Sequence, residues 1–163
     1  VLYVGDLASA KEVDLVFRAF AAIRTRIADA RLVMVGDGPL RATIQQSEPD
    51  TVVLGSRHGQ ALADCYAAGD LLLDTSLAET FGNVTLEAAA SGLTMVAFDH
   101  GAVGELIEDG VSGCVVPYAD EEAFIRAARA LAHVPQRIDY LGAAARRVAE
   151  AYVKPELERV GEK

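Results

Sequence analysis

The chain alternates short apolar runs with longer segments of helical periodicity, and this alternation restricts its fold more than any other feature. The apolar runs cover Val1–Val4, Leu32–Val35, Val52–Leu54, Leu71–Leu73, Thr94–Phe98 and Cys114–Val116. They are short, rich in Val and Leu and without polar alternation, which is typical of parallel strands covered on both faces. The sequence therefore predicts an α/β fold with a doubly wound, Rossmann-like parallel sheet and helices on both faces.

Helices are predicted between and after these runs. They cover Val13–Arg26, Leu40–Gln46, Gln60–Ala68, Val84–Ala90, Val103–Ile107, Glu121–Ala132 and Gln136–Ala151. The first of them has apolar residues recurring along one side at helical spacing. The tail from Lys154 to Lys163 is charged and contains Pro155. A short terminal helix or a frayed end is expected there.

Composition indicates one folded domain. With 163 residues, 52% hydrophobic and 24% charged, the chain can bury a core. Its net charge of −9 argues against contact with nucleic acid or a membrane, since both require a basic surface. Cys65, Cys114 and the three histidines lack zinc-like spacing, so no metal site is predicted, and the cysteines favour a reducing, cytoplasmic compartment. Because Val1 opens within a strand, we expect a fragment of a longer protein.

The loops after the strands are where a doubly wound sheet binds ligands. Gly36-Asp37-Gly38-Pro39 follows one strand and precedes a helix. The third glycine of a dinucleotide fingerprint is absent, because Arg41 occupies its position. A tight strand-to-helix turn is the favoured interpretation and a phosphate cradle the alternative. A dehydrogenase is disfavoured for the same reason.

A second loop carries two carboxylates around a predicted helix start. Glu79 follows the fourth strand, Phe81-Gly82-Asn83 leads into the helix, and Glu87 lies one or two turns further. Free N–H groups at a helix start suit a phosphate, and flanking carboxylates can accept hydrogen bonds from sugar hydroxyls. The alternative is a charge favoured by the helix dipole at Glu87 and a solvated loop charge at Glu79.

The segment Glu79–Ala88 resembles the E-x7-E motif of the family-four retaining glycosyltransferases (glycosyl transferases group 1). Their carboxyl-terminal GT-B domain binds a nucleotide sugar. Further segments resemble the family in the same order, so that the resemblance runs from Val1 to about Tyr152: Leu2–Gly5, Val35–Leu40, Ala67–Asp70, Ala90–Leu93, Gly104–Ile107 and Asp109–Gly113.

This resemblance implies a role for each residue of the motif. Glu79 would contact the donor hexose and act in catalysis, and Glu87 would bind the ribose diol. The sugar and diphosphate would lie against backbone N–H groups of four consecutive residues, Phe81, Gly82, Asn83 and Val84. The donor would be a UDP- or GDP-sugar, with no cofactor or metal required.

The loop after the first strand departs from the family pattern. The family usually has an arginine and a lysine there that clamp the diphosphate. Lys11 falls on the lysine position and is expected to act in catalysis, Gly5 is expected to line the donor, and Asp6 replaces the arginine. Two unit charges about 4 Å apart near a protein surface interact by ~4 kcal/mol. A carboxylate in place of the arginine should therefore weaken binding of the diphosphate severely. Asp6 could turn away, pair with Lys11 or mark a shifted register.

The resemblance implies transfer of a hexose, with retention, to a lipid or saccharide acceptor. Arg57, with His58, would contact the nucleobase. An amino-terminal acceptor domain of the same protein would complete the enzyme, so this chain alone is expected to be inactive. The full-length protein could be peripheral on the inner membrane face. The alternative function is a degenerate, non-catalytic binding domain, which Asp6 favours.

Overall fold

The computed structural model describes residues 1–78 and 83–161, with side chains described for 1–78 and 83–153. Glu79, Phe81 and Gly82 of the predicted site lie outside the described residues. The strands are β1 (Leu2–Val4), β2 (Val33–Val35), β3 (Val52–Gly55), β4 (Leu71–Asp74), β5 (Thr94–Phe98) and β6 (Cys114–Val116). The helices are α1 (Ala10–Arg24), α2 (Arg41–Ser47), α3 (Gly59–Ala68), α4 (Asn83–Ala90), α5 (Ala102–Leu106), α6 (Glu121–Leu131) and α7 (Pro135–Gly161).

Each predicted strand and helix is confirmed within a few residues at its ends. The charged tail is helical as far as Gly161, but as a continuation of α7 past Pro155 rather than as a short helix of its own. None of the helices in the described ranges combines the length and apolar character needed to cross a lipid bilayer.

All six strands of the sheet run parallel, in the order β3-β2-β1-β4-β5-β6. The direction of winding reverses between β1 and β4, where Leu2 pairs with Leu72. The loops that follow Val4 and Asp74 therefore open side by side at the carboxyl edge of the sheet. This switch point is where open α/β sheets bind their ligands.

The two faces of the sheet bury separate apolar clusters. Strand β4 divides its side chains between them, with Leu71 and Leu73 in the cluster under α1 and α6, and Leu72 in the cluster under α3, α4 and α7. All four residues of β4 are buried. Fully burying one leucine contributes about 1.5–3 kcal/mol, so burial on both faces holds the central strands of the switch point in place.

Helix α7 packs closely against the end of α4. A Cβ on Gly142 would lie 2.1 Å from the carbonyl oxygen of Gly92, so the two backbones are in direct contact. Nearby, the buried hydroxyl of Thr94 donates a hydrogen bond of 2.5 Å to the carbonyl oxygen of Ile138. These contacts fix α7 across the helix layer that carries Glu87.

Candidate functional site at the switch point

The loop after β1 is bound to the loop after β2 by backbone hydrogen bonds. The N–H of Gly5 donates to the carbonyl oxygen of Val35 at 3.0 Å, and the N–H of Leu7 donates to that of Asp37 at 3.0 Å. Leu7 in turn accepts from the N–H of Leu40. Gly5, predicted to line the donor, therefore lies directly after β1, and the loop after β2 determines the path of the backbone there.

The two glycines after β2 serve this packing. A Cβ on Gly36 would lie 1.8 Å from the carbonyl oxygen of Gly5, and one on Gly38 would lie 2.5 Å from that of Leu7. The N–H of Gly36 donates to Gly55, and that of Gly38 to the Asp37 carboxylate. The backbone of the loop after β1 fills the space beside these glycines, and their N–H groups already donate to acceptors within the protein. The tight-turn interpretation is confirmed.

Helix α1 begins with a side-chain cap and presents Lys11 in its first turn. The hydroxyl of Ser9 accepts a hydrogen bond from the N–H of Glu12 at 3.3 Å. The ammonium group of Lys11 lies 3.2 Å from the Glu121 carboxylate at the start of α6. Glu121 also accepts a hydrogen bond from Arg18. That bond, followed by the one from Lys11, holds the pKa of the Glu121 carboxyl below its usual value.

Asp6 is exposed, and its side chain forms no ion pair with any cation in the described part of the chain. The expectation that Asp6 could pair with Lys11 is therefore wrong. Glu121 holds Lys11 instead, because α6 packs beside α1 and brings a carboxylate from a distant part of the sequence.

The backbone at Asp6 is supported from below by Tyr3. The phenol of Tyr3 is buried and donates a hydrogen bond of 3.1 Å to the Asp6 carbonyl oxygen. A Cβ on Gly5 would lie 2.9 Å from the same phenol oxygen. Burial, together with the nearby carboxylates of Glu12, Asp74 and Asp6, raises the pKa of Tyr3. The phenol is therefore a permanent donor beneath the loop.

The loop after β4 is joined to α1 through Thr75. This buried hydroxyl donates a hydrogen bond of 3.1 Å to the carbonyl oxygen of Glu12. The carboxylate of Asp74, also buried, accepts from the N–H of Ser76 at 3.2 Å. Both sides of the switch point are thus tied together just below the point where the described part of this loop ends, at Ala78.

Helix α4 carries the second carboxylate of the motif. Asn83 is the first residue of the helix and is exposed, Val84 is half-buried, and Glu87 is exposed in the second turn. Glu87 borders a cleft of about 250 Å³ whose opposite wall is α3, with Gly59 and Tyr66 among its lining residues. The helix start predicted from the sequence is confirmed from Asn83 onward.

Arg57 and His58 lie in the exposed loop between β3 and α3. Gly59, the first residue of α3, lines the cleft beside Glu87, so this loop ends at the mouth of that cleft. The structure thus brings Arg57's loop and Glu87 to the same side of the sheet. Lys11 belongs to α1, which packs on the opposite face of the sheet, and Gly5 follows β1 at the carboxyl edge.

Two aromatic residues connect further loops at this edge. The ring of Tyr118, after β6, lies 5.0 Å from that of His100, after β5. The Tyr118 hydroxyl donates to the carbonyl oxygen of Leu77, after β4, at 3.4 Å. Neither Tyr118 nor Glu121 was predicted to belong to the site. Both precede or begin an ordinary amphipathic helix, and no local pattern distinguishes them.

A larger cavity, of about 460 Å³, lies at the opposite edge of the sheet. Val1, Val33 and Leu71, at the amino ends of their strands, line it together with Ile23 and Ile138. Parallel sheets bind ligands at their carboxyl edge, where helix starts supply N–H donors. The candidate site is therefore the switch point, despite the greater volume of the cavity at the amino edge.

The family model that describes glycosyl transferases group 1 matches residues 1–134. The chain is 37% identical over 145 residues to the GDP-mannose-dependent alpha-mannosyltransferase of Mycobacterium tuberculosis, covering 89% of this chain and 36% of that protein. It is 30% identical over 157 residues to the sulfoquinovosyl transferase SQD2 of Arabidopsis thaliana, covering 93% and 30%. The chain thus spans about a third of the length of these relatives.

Solved structures have the same fold. The pneumococcal O-GlcNAc transferase GtfA, in complex with UDP and GlcNAc, superimposes with a TM-score of 0.78 at 24% identity, covering 99% of this chain and 34% of that one. The C-terminal domain of the glycosyl transferase group 1 family protein LpcC from Francisella tularensis superimposes with a TM-score of 0.74 at 18% identity, covering 92% and 84%. The chain belongs to the group 1 glycosyltransferases, and its fold is that of their carboxyl-terminal GT-B domain.

Proposed function

We propose that this chain is the donor-binding domain of a retaining glycosyltransferase that moves a hexose from a UDP- or GDP-sugar to a lipid or saccharide acceptor. The observation that carries the proposal is the position of Glu87. Its carboxylate borders the cleft between α3 and α4, at whose mouth the loop with Arg57 ends. A nucleoside in this cleft would bring its ribose diol to Glu87 and its base to Arg57, leaving the diphosphate to cross the switch point.

The diphosphate would then meet the start of α4 and the start of α1. The N–H groups of Asn83 and Val84 belong to the first described turn of α4, and N–H groups at a helix start suit an anion. Lys11 supplies a cation from the first turn of α1. Donors aimed at a leaving diphosphate stabilise the charge that develops on it, which is how such a site would accelerate transfer. Glu79 would orient the hexose.

The relatives support the choice of donor class. One similar protein is named for its dependence on GDP-mannose, and one solved structure of the same fold holds UDP with GlcNAc. Other relatives are named for D-inositol 3-phosphate and for L-malate. An amino-terminal domain would supply the acceptor contacts, so donor binding without transfer is proposed for this chain alone.

Calorimetric titration of the chain with UDP, GDP, uridine and guanosine tests the proposal. We expect one of the diphosphates to bind with micromolar to millimolar affinity and its nucleoside to bind more weakly. The weaker binding of the nucleoside would measure what Lys11 and the start of α4 contribute. Absence of binding of both diphosphates at millimolar concentration would refute donor binding by this domain.

The second candidate is a degenerate, non-catalytic domain, and the exposed, unpaired Asp6 favours it among the described residues. Replacing Asp6 with Arg separates the two candidates. A large gain in diphosphate affinity from an undetectable level would indicate a site that has lost its clamp. Little change from a measurable level would indicate that other groups already neutralise the donor.

A further inference from the structure

In the cluster of charged side chains between α1 and α6, Glu121 has two cationic partners and is less exposed than Lys11. Glu121 contacts two cations, Lys11 at 3.2 Å and Arg18, and Arg18 is in turn held by Asp14 at 2.7 Å. The side chain of Glu121 is 26% exposed, whereas that of Lys11 is 66% exposed. Glu121 is therefore the anchored member of the pair with Lys11, and the lysine is the member that can leave.

The position of Glu121 is fixed independently of Lys11. Asp120 caps α6 through a hydrogen bond from the N–H of Ala123 at 2.9 Å, so the helix start on which Glu121 sits is well defined. Arg18 remains as a partner of Glu121 if Lys11 moves away. Loss of the lysine therefore does not leave the carboxylate unpaired, which lowers the cost of the exchange.

Lys11 and Glu121 also lie where a donor would reach them. They line a small cavity together with Thr75 and Leu77 of the loop after β4, and with Phe98 at the end of β5. Thr75 and Leu77 lead into the motif segment that begins at Glu79. The ion pair is thus part of the wall of the switch point, beside the proposed path of the diphosphate.

We propose that Glu121 holds Lys11 in the nucleotide-free protein and that the donor diphosphate displaces Glu121 from it, so that Glu121 sets how tightly the diphosphate binds. This inference rests on the proposed function. Its physical basis is competition between two anions for one ammonium group. Exposed ion pairs contribute only a small free energy, so a doubly charged diphosphate can outcompete the carboxylate. Glu121 is a positioning residue, since it acts through Lys11.

The test compares Glu121→Gln with Glu122→Gln. Both variants remove one carboxylate from the first turn of α6, but Glu122 is exposed and has no ion pair among the described residues. Titrations with UDP and uridine, or with GDP and guanosine, are made on each. We expect Glu121→Gln to tighten diphosphate binding by about two- to fivefold and to leave nucleoside binding unchanged. Glu122→Gln should change diphosphate binding much less.

Further measurements show whether Glu121 competes with the diphosphate for Lys11 or instead supports the lysine in binding it. The gain should shrink as salt rises from 0.05 to 0.5 M, because ionic screening weakens both interactions of the lysine. It should also disappear when Lys11 is replaced by Ala in both backgrounds. Thermal unfolding of each variant monitors folding.

Two results overturn the inference alone: unchanged diphosphate affinity in Glu121→Gln, or a loss of affinity as large as that of Lys11→Ala. The second would show that Glu121 supports the lysine rather than competing for it. If neither the wild type nor any variant binds a nucleoside or a nucleoside diphosphate, the proposed function fails and the inference fails with it. The two failures are therefore distinguishable in the same set of titrations.

Discussion

Gly36 is in direct backbone contact with Gly5, since a Cβ on Gly36 would lie 1.8 Å from the Gly5 carbonyl oxygen. This contact joins the loop after β2 to the loop that would line the donor. It explains why a glycine is required after β2 without invoking a phosphate. The backbone of Gly36 also has a φ of 143°, which L side chains rarely adopt.

Replacing Gly36 with Ala should therefore destabilise the fold strongly, by at least about 3 kcal/mol, because neither backbone can move without breaking the strand ends. The matched control is Gly59→Ala. Gly59 also has a positive φ, 54°, but nothing lies within 4 Å of an added Cβ, so about 1 kcal/mol of backbone strain is expected. Urea unfolding of the two variants measures the difference. Equal losses would contradict the overlap with Gly5.

Replacing Tyr3 with Phe removes the donor to the Asp6 carbonyl oxygen and should cost about 1 kcal/mol at neutral pH. The pKa of Tyr3 is raised in the folded protein, so its stabilising effect is full below the unfolded pKa of about 10. Above that pH the unfolded state loses the proton first and is favoured. The wild type should therefore lose stability from pH 8 to 10.5 more steeply than Tyr3→Phe.

Denaturant unfolding at the two pH values measures this difference. Tyr140→Phe is the control, because Tyr140 is 63% exposed. The control should retain the pH dependence of the wild type. Parallel pH profiles of the wild type and Tyr3→Phe would contradict a buried, protonated phenol beneath the loop.

Replacing Thr75 with Val keeps the shape of the side chain but removes its hydrogen bond to the Glu12 carbonyl oxygen. We expect a loss of about 1 kcal/mol, since the hydroxyl is buried and its bond is not replaced by water. Thr43→Val on the exposed face of α2 should remain within about 0.5 kcal/mol of the wild type. Thermal unfolding distinguishes them, and unchanged stability of Thr75→Val would show that α1 and β4 are held by other contacts.

Replacing Glu87 with Gln should weaken binding of UDP or GDP about tenfold, because a charged acceptor for the ribose diol becomes a neutral amide. The wild type should bind the 2′-deoxy nucleotide about as much more weakly than the ribonucleotide. Glu87→Gln should bind the 2′-deoxy nucleotide almost as well as the wild type does. Calorimetry with both ligands on both proteins completes this cycle, with Glu122→Gln as the charge-matched control. Fully additive losses would mean that Glu87 does not contact the 2′-hydroxyl.

Much of the fold follows from local patterns. The continuous apolar run Leu71–Leu73 predicts a strand buried on both faces, and β4 is buried along its whole length. The sequence predicts a helix from Val84, after Gly82 and Asn83, and the structure begins it one residue earlier, at Asn83. The order of the strands is a different matter: pairing of Leu2 with Leu72 joins residues separated by most of three β-α units, and no periodicity encodes it. The alternation of strands and helices predicts a doubly wound sheet, but the order of its strands was not predicted.

A pair between Asp6 and Lys11, one of three possibilities considered for Asp6, is wrong for a related reason. Asp6 is close to Lys11 in sequence, so local reasoning offered it as the partner. The helix start redirects the chain between the two, and Glu121 becomes the neighbour only when α6 packs on α1. Tyr118 and its contacts with His100 and Leu77 depend in the same way on three separate loops meeting at one edge.

The sequence by itself determined the elements, their alternation and the residue types at the switch point, because these depend on side-chain periodicity and on local turn geometry. The tertiary structure alone decided which charges face one another and which glycines contact a distant backbone. Burying both faces of the sheet forces helices α1 and α6 into contact, and only that contact brings Lys11 to Glu121. Position 36 requires glycine for the same physical reason. Close packing brings the Gly5 backbone against it, and this contact cannot be read from the distance between the two residues in the sequence.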